Sequence, residues 1–351
     1  GTLGDRIGRK PALILSFMLM GIGLLGLALT PSYASIGVAA QILVILFRLI
    51  QGFALGGEVG PTTAYMLEAA PPHRRGLYAS FQATTQDFAT LMAGVIGFAL
   101  ANWLTPDQLQ DWGWRVALLI GATIIPFVLV MRRNLEETFA LSHESKPPPV
   151  EFRPHLRIAI LGLLMIGSGT ILSYTLGYMT TFAQNTLNMA ANVAFAATMV
   201  NGGVSFAFDS VSGWLSDKYG RKPVMIIPSI LLVLLTVPVF LGIVQLHSTS
   251  AFLWGVGMIA LLGAFSQPPG LVLLTEALPA AIRSRGLATV YAVAIATFGG
   301  STQLIMTLLL RYSNDPMIPA YVLLPVSAIG VIAMFLLPET APVKTGNTKL
   351  P

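Results

Sequence analysis

Ten continuous apolar stretches, each long enough for a membrane-crossing helix, dominate this chain of 351 residues. A bilayer core about 30 Å thick requires roughly 20 apolar residues in a helix, and only helices or closed barrels satisfy their backbone groups in lipid. The stretches do not alternate between apolar and polar residues, which excludes a barrel. Only 10% of the residues are charged, too few to coat a soluble globule. The predicted spans are 11–30, 37–60, 77–101, 114–131, 158–183, 190–212, 224–246, 252–275, 286–310 and 317–337.

The basic residues predict the orientation of these spans. If the helices alternate in direction, 17 of the 20 Lys and Arg residues fall on one side of the membrane, which identifies that side as cytoplasmic. The net charge of +5 is therefore a topology signal and not a nucleic-acid-binding surface. The polar, proline-containing segment 132–157 predicts a cytoplasmic linker between an N-terminal half-bundle (1–131) and a C-terminal half-bundle (158–340), with a cytoplasmic tail at 341–351.

An internal repeat connects the two halves. GTLGDRIGRKP at 1–11 recurs as GWLSDKYGRKP at 213–223, and PTTAYMLEAAP at 61–71 recurs as PGLVLLTEALP at 269–279. Two halves with the same plan indicate a duplicated unit, an architecture found in transporters. Since six spans follow the linker and only four precede it, we expect two further N-terminal helices and twelve in the parent protein.

The duplicated G-x-x-x-D-[RK]-x-G-R-K pattern resembles the signature of the major facilitator superfamily. FRLIQGFALGGEVG (47–60), EAAPPHRRGLYASFQ (68–82), WGWRVALLIG (112–121) and the terminal PET (338–340) are similar to its metabolite:proton symporter branch. The resemblance implies an all-α fold of two pseudo-symmetric helix bundles. It also implies a carrier of citrate, oxoglutarate, shikimate, proline or betaine, and the YASFQ stretch is most similar to the carboxylate carriers. Gln303 and Asp209 depart from the pattern of the branch.

Arg48 lies about a dozen residues inside the second span, where a charge is costly and usually functional. Its guanidinium is suited to bind a substrate carboxylate, although a structural ion pair is the alternative. Glu58, in a glycine-rich stretch of the same span, is either a proton-carrying acid or a polar contact between helices.

Asp87 lies about ten residues inside the third span and is the favoured protonation site. A carboxylate at this depth can exchange a proton between the two faces of the membrane or contact substrate. Asp209 lies near the end of its predicted span, which favours contact with solvent or with the neighbouring basic turn.

The repeated signature predicts a cytoplasmic charge lock. Asp5 and Asp217 stand near helix N-termini, where negative charge is favoured, and basic residues of the signature can reach Glu68 and Glu276. The resemblance implies that such charges lock one conformation, although they also serve topology alone. The predicted lock residues are Asp5, Arg9, Lys10, Glu68, Arg75, Asp217, Arg221, Lys222, Glu276 and Arg283.

A stripe of polar residues at helical spacing marks the fifth span and suggests a helix face turned toward a cavity. Thr170, Tyr174 and Tyr178 belong to this stripe, and Tyr291 in the ninth span joins them as a candidate substrate contact. The alternative for the aromatic residues is simple packing or anchoring at the membrane interface.

These features favour a secondary active transporter, with the proton as coupling ion and no cofactor, in the bacterial inner membrane as a monomer. The chain has no Cys, its four His residues have no metal-site spacing, and it has no P-loop. Enzymatic thiol chemistry and ATP-driven transport are therefore not expected. Alternatives are a compatible-solute symporter, a proton-coupled efflux transporter and a non-transporting membrane sensor.

Overall fold

The computed structural model describes residues 9–56, 59–127, 130 and 155–346. These residues are mostly helical and include no β-strand. The principal helices are α1 (Arg9–Leu29), α2 (Val38–Gly56), α3 (Val59–Ala69), α4 (Arg75–Trp103), α5 (Trp114–Ala122), α6 (Leu156–Asn185), α7 (Ala191–Tyr219), α8 (Arg221–Leu246), α9 (Thr249–Ala277), α10 (Ala280–Ala294), α11 (Gly300–Ser313) and α12 (Ile318–Leu336). A π-helical turn, Ile295–Gly299, joins α10 to α11.

Six of the predicted spans are helices long and apolar enough to cross a membrane. They are α6, α7, α8, α9, the continuous segment Ile282–Ser313 and α12. Shorter apolar helices run over Ile14–Leu29 and Val38–Ala54. α4 is 29 residues long and carries the polar residues Gln82, Gln86 and Asp87 near its middle. The predicted all-α membrane fold is confirmed.

The chain divides into two compact units. The first contains Gly1–Pro61 and Leu100–Val150, and the second contains Thr62–Ala99 and Glu151–Pro351. Most of α4 therefore belongs to the same compact unit as the helices that follow the predicted linker. The two half-bundles, which were predicted from the repeat, stay a prediction. The linker itself lies almost wholly outside the described residues.

In the first unit, α1 packs against α2 and α5. Gly26 of α1 lies directly against the ring of Phe47, where a β-carbon would not fit. Arg115 donates to the carbonyl oxygens of Ala28 (3.4 Å) and Thr30 (3.3 Å), so a cation satisfies the C-terminal end of α1.

In the second unit, α9 packs against α7 and α8, and α6 and α8 both pack against α12. One apolar cluster includes Phe182, Phe240 and Phe252, which are fully buried. A second cluster around Met225 and Leu273 lies where α8 and α9 meet. These clusters fix the helices that surround a central cavity.

Small residues bring the backbones of α4 and α7 into direct contact. A β-carbon on Gly94 would lie 2.5 Å from the backbone nitrogen of Met199, and one on Gly202 would lie 2.7 Å from the α-carbon of Leu91. Glycine permits such close approach of membrane helices. The polar side chains of α4 and α7 are therefore held close together.

Candidate substrate cavity and charge cluster

A polar cavity of about 450 Å³ lies in the second unit, a volume within the range of small-molecule sites. Side chains of α4, α6, α7, α8, α9, α12 and the α10–α11 segment line it. Its polar lining comprises Gln82, Gln86, Asp87, Thr90, Ser168, Thr170, Ser173, Tyr174, Asn201, Ser205, Asp209, Ser229, Ser266, Gln267, Tyr291, Gln303 and Ser327. No Lys, Arg or His is among these described lining residues. The cavity therefore offers amides, hydroxyls and two acids to a ligand.

Four predicted residues meet at this cavity. Asp87, Thr170, Tyr174 and Tyr291 all line it, and their roles in transport stay predictions. Tyr178 differs from the prediction, because it is 5% exposed within an apolar cluster and is absent from the described lining. Thr307 donates to its hydroxyl at 3.2 Å, so this phenol is satisfied by helix packing.

Asp209 is the functional candidate whose position sequence reasoning misjudged. It was expected to contact solvent or the basic turn, but it is 1% exposed and lines the cavity. The reason is the length of α7, which continues to Tyr219 and so places Asp209 ten residues, or about 15 Å, from the helix end. Its carboxyl lies within hydrogen-bonding distance of the Asp87 carboxyl. We call Asp87 and Asp209 the acid pair.

The wall opposite α4 depends on the π-helical turn between α10 and α11. A β-carbon on Gly299 would lie 2.7 Å from the Tyr174 ring and 3.1 Å from the Thr170 methyl group. The missing side chain therefore lets α6 approach this turn closely. Ser173 on the same helix donates to the side-chain oxygen of Gln267 at 3.1 Å.

The predicted lock residues of the second unit gather where α7, α8 and α9 end or begin. We define the charge cluster as Glu68, Arg75, Asp217, Arg221, Glu276 and Arg283. Arg221 is its centre, with 0% exposure. It donates to Asp217 Oδ1 at 2.7 Å and to both carboxylate oxygens of Glu276 at 3.0 and 3.2 Å. A guanidinium with this bidentate geometry binds strongly and directionally.

Asp217 also connects α7 to α4. Its Oδ1 and Oδ2 accept hydrogen bonds from the backbone N–H groups of Gly76 (2.8 Å) and Leu77 (2.9 Å). These N–H groups belong to the first turn of α4, where the helix dipole favours a negative charge. The second copy of the repeated signature therefore caps a helix that precedes the linker in sequence.

Arg283 and Glu68 form another ion pair of the cluster at 3.1 Å. Arg283 is 1% exposed and also donates to the carbonyl oxygens of Thr275 and Leu278, whereas the Glu68 side chain is 53% exposed. Arg75 is buried at the start of α4 and interacts electrostatically with Glu276 and Asp217. The predicted acids and arginines are thus close to one another.

The terminal PET sequence completes the cluster, a role that the sequence did not reveal. Glu339 accepts from the backbone N–H groups of Arg221 (3.1 Å) and Lys222 (3.0 Å), and Thr340 donates to Glu276 at 2.6 Å. Lys222 was expected to reach an acid of the lock. Its ammonium instead donates to the carbonyl oxygens of Phe335 and Leu337, because carbonyls at the C-terminal end of α12 have no partner within that helix.

The remaining predicted residues lie in the first unit or outside the described residues. Arg48 is exposed on α2 and donates to the side-chain oxygen of Gln51 at 3.3 Å. Asp5 and Glu58 lie outside the described residues, and so do the side chains of Arg9 and Lys10. Their roles stay predictions.

Membrane-length helices around a polar, acid-lined cavity define a polytopic membrane protein of the transporter class. The family model of the Major Facilitator Superfamily matches residues 1–210 and residues 158–351. The chain belongs to this superfamily.

Two relatives illustrate this membership, and one solved structure has a similar fold. A citrate-proton symporter from Klebsiella pneumoniae is 33% identical over 348 residues, which cover 95% of this chain and 76% of the relative. An alpha-ketoglutarate permease from Escherichia coli (strain K12) is 35% identical over 309 residues, covering 86% and 71%. The crystal structure of a D-xylose-proton symporter covers 99% of this chain and 84% of its own with a TM-score of 0.77. Its 20% identity supports the fold alone.

Proposed function

We propose that this protein is a proton-coupled symporter of a small carboxylate metabolite in the bacterial cytoplasmic membrane, active as a monomer. The observation that carries the proposal is a polar cavity within the membrane-spanning helices that is lined by Asp87. Ionisable groups within membrane spans are costly and usually mark ion or substrate pathways. The relatives named as a citrate-proton symporter and an alpha-ketoglutarate permease support proton coupling and a carboxylate substrate.

Arg48 is the proposed anchor for the substrate carboxylate. Its guanidinium is exposed on α2, and its hydrogen bond within the described residues is to a neutral amide at 3.3 Å. A guanidinium binds a carboxylate through two parallel hydrogen bonds. Thr170, Tyr174 and Tyr291, which line the cavity of the second unit, are proposed as substrate contacts in their own right.

The charge cluster is the proposed lock of the conformation described here. Asp217 holds the first turn of α4 while Arg221 holds Asp217 and Glu276, so three helices are connected through one guanidinium. Alternating access requires that such contacts form in one state and break in another. Arg283 and Glu68 would then add a weaker, solvent-exposed contact to the same lock.

A compatible-solute symporter is the second candidate. The described cavity lining contains two acids and no base, which suits the positive group of a zwitterion. An ectoine/proline transporter from Corynebacterium glutamicum is 29% identical over 371 residues. Ectoine and proline are zwitterions, and such ligands need both an anionic and a cationic contact.

Uptake by the full chain in proteoliposomes tests both candidates. We expect labelled citrate or 2-oxoglutarate to accumulate with an inward proton gradient and to stop accumulating when an uncoupler is added. Uptake of proline or betaine alone would favour the second candidate. Accumulation that the uncoupler leaves unchanged would contradict proton coupling.

The variant Arg48→Ala tests the anchoring role of Arg48. We expect it to reduce carboxylate uptake by about 100-fold, the scale of a lost charged hydrogen-bonding contact of 1.5–3 kcal/mol. Arg311→Ala is the matched control, because Arg311 is an exposed arginine in the last turn of α11. Equal uptake by the two variants would remove the anchoring role of Arg48.

A further inference from the structure

Asp209 is a buried acid with an oxygen that lacks a donor. The residue is 1% exposed, and its Oδ2 receives no hydrogen bond from the described residues. It lines the cavity from α7, within a membrane-spanning helix. A buried carboxylate that lacks donors is costly, so this group requires either a proton or a protonated partner.

Asp87 is the group that faces it. The two carboxyls lie within hydrogen-bonding distance, and ionised carboxylates contribute only acceptors. Contact between them therefore requires a proton on one of the two groups. The other titratable groups facing the acids are the phenols of Tyr174 and Tyr291. Within the described lining, no Lys, Arg or His offsets a second negative charge.

The acid pair lies in the contact between α4 and α7. Next to it, Thr84 and Ser210 share a hydrogen bond of 2.8 Å, and the rings of Phe88 and Phe206 are 5.3 Å apart. The glycine contacts described above leave little room for the helices to shift without separating. A charge change between the two carboxyls must therefore act on the helix contact itself.

We propose that Asp87 and Asp209 form one proton-binding unit, whose shared proton keeps α4 packed against α7 and whose loss drives the two helices apart. The protonated carboxyl donates to the ionised one, and together they carry one negative charge. On release, an O–H bond of this carboxyl breaks, the proton passes to water in the cavity, and the pair carries two negative charges. This inference rests on the proposed proton-coupled function and specifies what the proton does to the structure.

Cross-linking between α4 and α7 tests the proposal directly. The chain has no cysteine, so Thr84→Cys with Ser210→Cys provides a single thiol pair where the side-chain oxygens are 2.8 Å apart. Oxidative cross-linking of the full chain in proteoliposomes is compared in this background and with Asp209→Asn added. Because the Asp209 charge also affects thiol ionisation, each cross-linking rate is divided by the rate at which the corresponding single-cysteine variants react with a neutral alkylating reagent, so the corrected ratio reports the helix contact.

We expect the two rates to be similar at acidic pH. At alkaline pH, the rate with both acids present should fall about tenfold below the rate with Asp209→Asn, because two like charges then meet at contact distance. Asp111→Asn is the matched control, since Asp111 is an exposed acid in the turn Leu109–Gly113. The cross-linking rate with Asp111→Asn should match the rate in the background that keeps both acids, at each pH. A rate ratio that does not change with pH would overturn the proposal.

Infrared difference spectra provide a second measurement that needs only the native chain and single variants. Alkaline titration should remove a protonated carboxyl band from the wild-type protein, and the band should be absent or shifted in Asp87→Asn and in Asp209→Asn alike. A band lost in only one of these variants would contradict a shared proton. These readouts need no substrate, so proton-driven citrate uptake can fail or succeed independently of them.

Discussion

The acid pair and the charge cluster both connect α4 with α7, yet their charges are satisfied in opposite ways. In the charge cluster, Arg221 is 0% exposed and its guanidinium makes hydrogen bonds to two acids and a serine hydroxyl. In the acid pair, Asp209 is 1% exposed and its Oδ2 lacks a described donor. One contact of α4 with α7 is therefore held by paired charges, and the other depends on a proton.

This difference separates a structural contact from a titratable one. Removing one member of a paired buried cluster leaves an uncompensated charge, which destabilises the fold. Neutralising an acid that already shares a proton removes charge without leaving an unpaired cation. We therefore expect stability to depend most on the charge cluster and proton dependence to depend most on the acid pair.

Arg221→Met should give the largest effect. It leaves Glu276 and Asp217 buried without their cation, at a cost of about 3–5 kcal/mol for breaking a buried pair. Thermal unfolding in detergent measures the loss. Lys218→Met is the control, because Lys218 is exposed at the end of α7 and should have little effect. A stable Arg221→Met protein would contradict the structural role of the cluster.

Gly213→Ala should disturb the contact between the same helices at an intermediate level. Its β-carbon would lie 2.5 Å from the carbonyl oxygen of Gly76, so α4 must move. Overpacking of this kind costs about 1–3 kcal/mol. Gly242→Ala is the matched control, since a β-carbon there meets no atom within 4 Å. If both variants unfold at the same temperature, the close approach of α4 and α7 is not required.

Two tyrosines of α6 separate packing from substrate contact. Tyr178→Phe removes the acceptor of Thr307 and should cost about 0.5–1.5 kcal/mol of stability without changing the KM of uptake. Tyr174→Phe should raise KM while leaving stability nearly unchanged, because Tyr174 lines the cavity. Unfolding temperatures and uptake kinetics of the two variants provide the comparison. If Tyr178→Phe raised KM and Tyr174→Phe lowered stability instead, the substrate contact would lie elsewhere on α6.

Glu68→Gln should have the smallest effect. Its carboxylate pairs with Arg283 but its side chain is 53% exposed, and exposed pairs contribute about 0.2–1 kcal/mol. Glu276→Gln is the informative partner variant, because Glu276 holds the corresponding position of the repeat but is 3% exposed. Unfolding measurements should show a clearly larger loss for Glu276→Gln. Equal losses of stability would mean that burial does not distinguish Glu68 from Glu276.

The sequence predicted the membrane helices and the acids and arginines of the charge cluster because both follow from local patterns. Apolar length identifies a span, and the duplicated signature identifies Asp217 and Arg221 before any fold is known. The pairing of Arg221 with Glu276 was likewise anticipated, since opposite charges at neighbouring helix ends attract.

The acid pair and Lys222 were not predictable in the same way. Asp209 was placed near a helix end because the apolar stretch stops at residue 212, whereas α7 continues through polar residues to Tyr219. Its partner Asp87 is 122 positions away in sequence, and only the packing of α4 on α7 brings them together. Lys222 binds carbonyl groups of another helix end, a contact that residue type alone does not specify.

The π-helical turn at Ile295–Gly299 also determines which residues share the cavity wall. Tyr291 and Gln303 are 12 positions apart, which in a regular α-helix would separate them by about 120° around the axis. A π-turn accommodates one extra residue, so the effective spacing is 11 and the angle falls to about 20°. Both side chains therefore line the cavity. The angular register of this wall is set by an added backbone unit: rewinding the turn as regular α-helix with the same number of residues would rotate Gln303 by about 100° away from Tyr291, while leaving every cavity side chain chemically intact.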